Sequence, residues 1–158
     1  MTQPSTLEPD EYDEWLDRVR STYEAVRFTC HHRLGDRLLA SRVSAQVVAG
    51  MLARPGVFRF FGMPFSARVG HLAEEQIAAA RRGELQGSAV WPELERRLRE
   101  LTEQQRRVFV LSFVHGSGTE ETARKLGVPE EVAHDLRDDV LRLVRGIAGT
   151  NEIPGDGT

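Results

Sequence analysis

Apolar side chains recur along this chain at the spacing of one helical face. From Asp10 onward, Tyr12, Trp15, Leu16, Val19, Tyr23, Val26 and Cys30 share a stripe, and Asp10, Glu11, Asp13 and Glu14 sit at the end where a helix dipole is positive. A first helix is expected to about Arg33. Gly35 and Asp36 mark a turn, and Leu38, Leu39, Val43, Val47, Val48, Met51 and Leu52 predict a second helix that Pro55 and Gly56 must end. The run from Val57 to Phe65 then places Phe58, Phe60, Phe61 and Phe65 among glycines and a proline, which favours a loop. Ser66 can cap a third helix carrying Val69, Leu72, Ala73, Gln76, Ile77 and Ala80, ending near Gly83.

The second half is more sharply written. Val90 to Glu100 leads into it, and Thr102 with Gln105 has the spacing of a capping box ahead of Val108, Phe109, Leu111 and Phe113. His115 to Gly118 interrupts the pattern. Thr119 can cap a short helix with Glu120 and Glu121 in its first turn, Ala123 and Leu126 facing inward, and Gly127 as terminator. Pro129 opens a longer helix whose stripe reads Val132, Leu136, Val140, Leu143 and Ile147. A short helix, a glycine turn and a longer amphipathic helix form a helix-turn-helix, which serves equally as a packing module or a DNA reader. The fold class expected is all-α, as two small helical bundles with the helix-turn-helix in the second. The expected boundaries are a tail at 1–9, a first domain at 10–83, a linker and lead-in helix at 84–100, a second domain at 101–148 and a tail at 149–158.

Composition narrows the class. A chain of 158 residues with 40% hydrophobic content can fill modest helical cores, and it holds no run of about 18 apolar residues and no export signal at its start. Those features, with Cys30 as the one cysteine, predict a cytoplasmic protein away from membranes. Net charge is -3, yet its distribution is uneven. Residues 10–82 carry eleven arginines against nine carboxylates, a balance of +2, whereas residues 101–145 carry seven basic against eight acidic side chains, or -1. The half with the helix-turn-helix is the more acidic, although proteins that live on DNA usually present a basic face.

Enzyme chemistry finds little to work with. His31 and His32 are adjacent and diverge by about 100° on a helix, and Cys30 has no second thiol, so neither a metal nor another cofactor is expected. Glu74 with Glu75 and Asp138 with Asp139 are sequence neighbours, which suits solvated faces better than acid–base pairs. No phosphate-cradling glycine loop or nucleophile motif occurs. A non-enzyme is expected.

Leu101, Glu103, Gln105, Arg106, Val108, Leu111, Gly116, Glu121, Ala123, Leu126, Gly127, Val128, Glu130, Val132 and Leu136 together resemble region 4, the promoter-binding domain of bacterial RNA polymerase sigma factors of the small extracytoplasmic-function type. The first half is similar to region 2 of the same family, on a helix closing at Leu34, Gly35 and Asp36, a helix from about Ala40, an aromatic loop, and Arg81 with Arg82 near a helix end. The resemblance implies a role in transcription initiation. Its implied partners are promoter DNA, RNA polymerase core or another transcription regulator, an anti-sigma-like protein, and a second copy of the chain. It places DNA contacts at Arg124, Lys125, Glu131, His134, Arg137 and Arg142, polymerase contacts at Arg42 and Gln46, and contact with melted DNA at Phe58, Phe60, Phe61 and Phe65; core packing is the other use of those rings.

Three stretches depart from the family pattern. Arg42 stands about where the family carries an acid that grips the polymerase clamp, and reversing a charge at a complementary interface costs several kcal/mol. The third helix carries Glu74 and Glu75 and no tryptophan. The helix that should read DNA offers Glu131, His134 and Asp135 where basic residues are usual, and phosphates repel carboxylates. Two uses therefore stay open: a sigma-like regulator that binds DNA or polymerase, and a sigma-like protein that no longer reads promoters and works as an adaptor or dimeric regulator.

Overall fold

A computed structural model of the chain describes residues 7–56, 67–85, 87 and 89–149. Seven α-helices and one π-helical turn occur among the described residues, and no strand, so the all-α expectation holds. The aromatic loop with Phe58, Phe60, Phe61 and Phe65, the Ser66 cap and residues 150–158 lie outside the described residues.

The first helix, α1 (Leu7–Leu34), begins upstream of Asp10, where the periodic pattern starts. Its inward positions Tyr12, Trp15, Leu16, Val19, Tyr23, Val26 and Cys30 are all buried. Gly35, at φ 68°, makes the left-handed turn, and Asp36 caps α2 (Arg37–Ala53) by accepting from the Leu39 N–H at 3.0 Å. From Ala40 to Ala53 ten of the fourteen residues of α2 are buried, because α1, α3 (Ala67–Arg81) and the last helix pack around it. Leu38 corrects the inward reading: it precedes the packed part of α2 and is 77% exposed.

The second half contains α4 (Trp91–Arg99), α5 (Glu103–Phe109), a π-turn (Val110–Val114), α6 (Thr119–Leu126) and α7 (Glu130–Ile147). A single buried cluster draws on α1, α2, α3, α4, α5, the π-turn and α7, so one apolar core joins the two helical groups. Aromatic contacts carry that junction. The Phe109 ring lies 4.5 Å from Trp15 and 6.0 Å, edge-on, from Tyr12, and Tyr23 stacks on Trp91 at 5.1 Å. Such pairs add about 0.5–1.5 kcal/mol each beyond burial.

Polar groups fix the geometry around it. The Tyr12 hydroxyl donates to the Leu98 carbonyl at 2.8 Å, the Arg145 Nε donates to the Ala53 carbonyl at 2.9 Å, and Glu95 accepts from both Arg20 and Arg99. Burial holds the Tyr12 phenol well above its ordinary pKa, with the Arg106 guanidinium, 5.2 Å over the ring, opposing the shift in part.

Trp15→Ala should lower stability by about 3–5 kcal/mol in urea titrations, since the cavity opens between the two halves. Circular dichroism and tryptophan fluorescence of the wild-type protein should report the same midpoint; separated midpoints would contradict a shared core. Because the folded phenol binds its proton more tightly than the unfolded one, stability from this group is present below pH about 10 and is lost as pH rises above it. Tyr12→Phe should cost about 1 kcal/mol at neutral pH and flatten that alkaline loss, read from melting temperatures between about pH 8 and 11.

Candidate nucleic-acid interface

The support for the helix-turn-helix is α5. Thr102 accepts from the Gln105 N–H at 3.1 Å while the Gln105 side chain accepts from the Thr102 N–H at 2.8 Å, closing the capping box that the spacing predicts. Beyond Phe109 the backbone widens: the His115 N–H reaches the Val110 carbonyl at 2.8 Å and the Ser117 N–H reaches the Leu111 carbonyl at 2.9 Å. Val110, Leu111 and Phe113 are all buried in this turn, which packs against α1 and α6 and has the Arg137 side chain of α7 over the Phe113 ring. Sequence spacing alone gave a regular helix here.

Gly118, in an extended conformation, caps α6 without a side-chain bond; Thr119, expected as the cap, is the first helical residue. At the other end Gly127 adopts φ 73°, and the Gly127 and Val128 N–H groups both reach the Ala123 carbonyl, at 2.9 and 3.1 Å. Pro129 is the extended cap of α7, and Glu130 with Glu131 occupies its positive first turn. The buried stripe of α7 is Ala133, Val140, Val144 and Ile147, with Leu136 and Leu143 half-buried. Val132, read as the start of that stripe, is 40% exposed. At this end of the helix the buried position is small Ala133, while Val140 and Ile147 of the expected stripe are buried as read.

The outward positions of α6 and α7 are where the resemblance expects DNA. Arg124, Lys125, Glu131, His134 and Arg142 are exposed there, so the fold gathers them on one unit. Most of the cations are already engaged. Lys125 pairs with Glu121 at 3.4 Å and Arg142 with Asp139 at 3.1 Å, while the half-buried Arg137 guanidinium lies 5.0 Å over the Phe113 ring and ties α7 to the π-turn. His134 stands between Asp135 and Asp138 at 3.8 and 3.7 Å. Glu120, Glu121, Glu130, Glu131, Asp135, Asp138 and Asp139 break up any continuous positive stripe.

Residues 92–132 match the family model for Sigma-70, region 4. The matched stretch runs from α4 through α5, the π-turn and α6 into the first turn of α7. It therefore covers α6, the Gly127 turn and the acidic first turn of α7. No curated protein and no solved structure matches the chain. The sigma-70 region 4 match supports a transcription-related, DNA-binding type of segment from a regulator family, not an enzyme family.

Away from this segment, Arg42 is exposed on α2 with no ion-pair partner among the described residues. Gln46 is half-buried beneath the connecting strand of chain: a Cβ on Gly87 would lie 2.5 Å from its Oε1, and Gly87 has φ 90°. Arg107 was not legible in the pattern. Its side chain crosses to the Lys125 carbonyl at 3.4 Å and helps hold the end of α6, a role visible only once the helices are packed. No helix among the described residues is long and apolar enough to cross a membrane.

Gly127→Ala should lower the melting temperature by several degrees, corresponding to about 1 kcal/mol or more, because the left-handed turn strains any Cβ although nothing crowds the site.

Proposed function

We propose that this chain is a cytoplasmic sigma-like transcription regulator acting in transcription initiation through promoter DNA, RNA polymerase core, or both. Residues 101–148 serve as its region 4 domain. Residues 10–83 are the region 2 counterpart, of the extracytoplasmic-function type, joined by the 84–100 linker. The observation that carries the reading is the α6–Gly127–α7 unit, whose inner face is buried, with the second half of α7 in the shared core, while its outward face stays exposed.

In this reading Arg124, Lys125 and Arg142 meet phosphates, Glu131 and His134 lie toward base edges, and Arg137 positions α7 through Phe113. Arg42 and the exposed part of α2 face the polymerase, and Phe58, Phe60, Phe61 and Phe65 are the stacking candidates for melted DNA. Gel-shift and run-off transcription assays with polymerase core test it: no effect of the protein at low salt removes the reading.

A second reading has its own support in the seven carboxylates that flank the open face, together with Arg42 where the resemblance expects an acid. Here the protein works by protein contact, as an adaptor or dimeric regulator, or as the target of an anti-sigma-like protein. A strict monomer in light scattering that captures no protein partner, yet binds DNA tightly and salt-dependently, removes this one.

If phosphates are met as proposed, the double substitution Arg124→Ala, Lys125→Ala weakens binding to all DNA sequences alike and lowers the slope of log K against log salt by about 1–2. Glu131→Gln with Asp135→Asn should strengthen non-specific binding several-fold in the same anisotropy titrations, by removing two like charges from the phosphate side.

A further inference from the structure

We propose that the tip of the α1–α2 hairpin is a docking surface for a second copy of this chain, and that its occupant is the acidic N-terminal half of that copy's α7. Solvated charges ordinarily need no partner. What singles out these two regions is that opposite signs gather around exposed apolar side chains.

Phe28 to Arg42 covers about the last two turns of α1, the Gly35–Asp36 turn and the first two turns of α2. Phe28 is 65% and Leu38 77% exposed, with the Phe28 ring edge-on to His32 at 4.7 Å. The same stretch carries Arg33, Arg37 and Arg42, the last two beside Leu38 at helical positions one before and four after it, with Asp36 and Glu74 as the nearby acids, and Arg81 donates to the Arg33 carbonyl at 3.1 Å. Arg33 is paired with Glu74, but Arg37 and Arg42 have no ion-pair partner among the described residues.

On α7 the signs are reversed. Val132 is 40% exposed and has Glu131 and Asp135 beside it on the helix, of which Glu131 also lacks an ion-pair partner among the described residues. The carboxylates among the described residues thus leave Arg37 and Arg42 unmatched, and the complement available in every solution of this protein is another molecule of it. A contact between two different patches either closes reciprocally or repeats head to tail. Either way it covers the outward face of α7, so association withholds the proposed reading helix from DNA. That regulatory consequence rests on the function proposed above; the contact itself does not.

Sedimentation velocity and light scattering at low salt test the contact without any DNA. The wild-type protein should associate at micromolar concentration, and high salt should weaken this at least tenfold. Arg37→Glu with Arg42→Glu should give a monomer, as should Glu131→Arg with Asp135→Arg, each with wild-type helicity. Mixing the two variants should restore association, since each then supplies what the other lost. A wild-type monomer at about 100 μM in low salt, a concentration that exposes contacts as weak as about 5 kcal/mol, overturns the proposal. So does association that neither variant disturbs, or a mixture that stays monomeric.

Discussion

The contact of Phe109 with Tyr12 and Trp15 governs the arrangement of the whole chain. It joins the first turns of α1 to the helix that supports the helix-turn-helix, and the Tyr12 hydroxyl bond to the Leu98 carbonyl fixes its register. A chain this size has little core to spare. Sharing one cluster across α1, α2, α5 and α7 buries more apolar surface than two separate lobes of about half the length could. Val110 and Phe113 of the π-turn belong to the same cluster.

That packing settles which faces remain for function. The inner stripes of α5 and α7 are committed to the core, with Leu126 of α6 packed against it, and what is left outward on α6 and α7 is a surface rich in carboxylates whose cations are mostly held by neighbours. At the far end of α2 from Ala53, the hairpin tip keeps arginines and two large apolar side chains in water. The molecule is therefore divided in sign between a basic tip and an acidic helix-turn-helix, and whatever it binds is selected by that division as much as by fold.

The match over residues 92–132 fits this picture. It falls on α4 to the first turn of α7, Glu130 and Glu131 included, where residues build the helix-turn-helix. The helix-turn-helix geometry and the carboxylate-rich outward face thus occur together on the same two helices.

Periodicity was enough for the seven helices, the Thr102–Gln105 capping box and the Gly127 turn, because each depends on residues a few positions apart in the chain. The candidate site was legible to the same depth: Arg124, Lys125, Glu131, His134 and Arg142 do share one exposed unit. Tertiary structure alone decided that Val132 is exposed and Ala133 buried, since apolar spacing along the helix fits either position at its first turn. It also decided that Arg137 is held by Phe113, that Leu38 stays exposed, and that the two halves share a core. Those outcomes depend on contacts between residues far apart in sequence, and spacing along a helix carries no information about its neighbours.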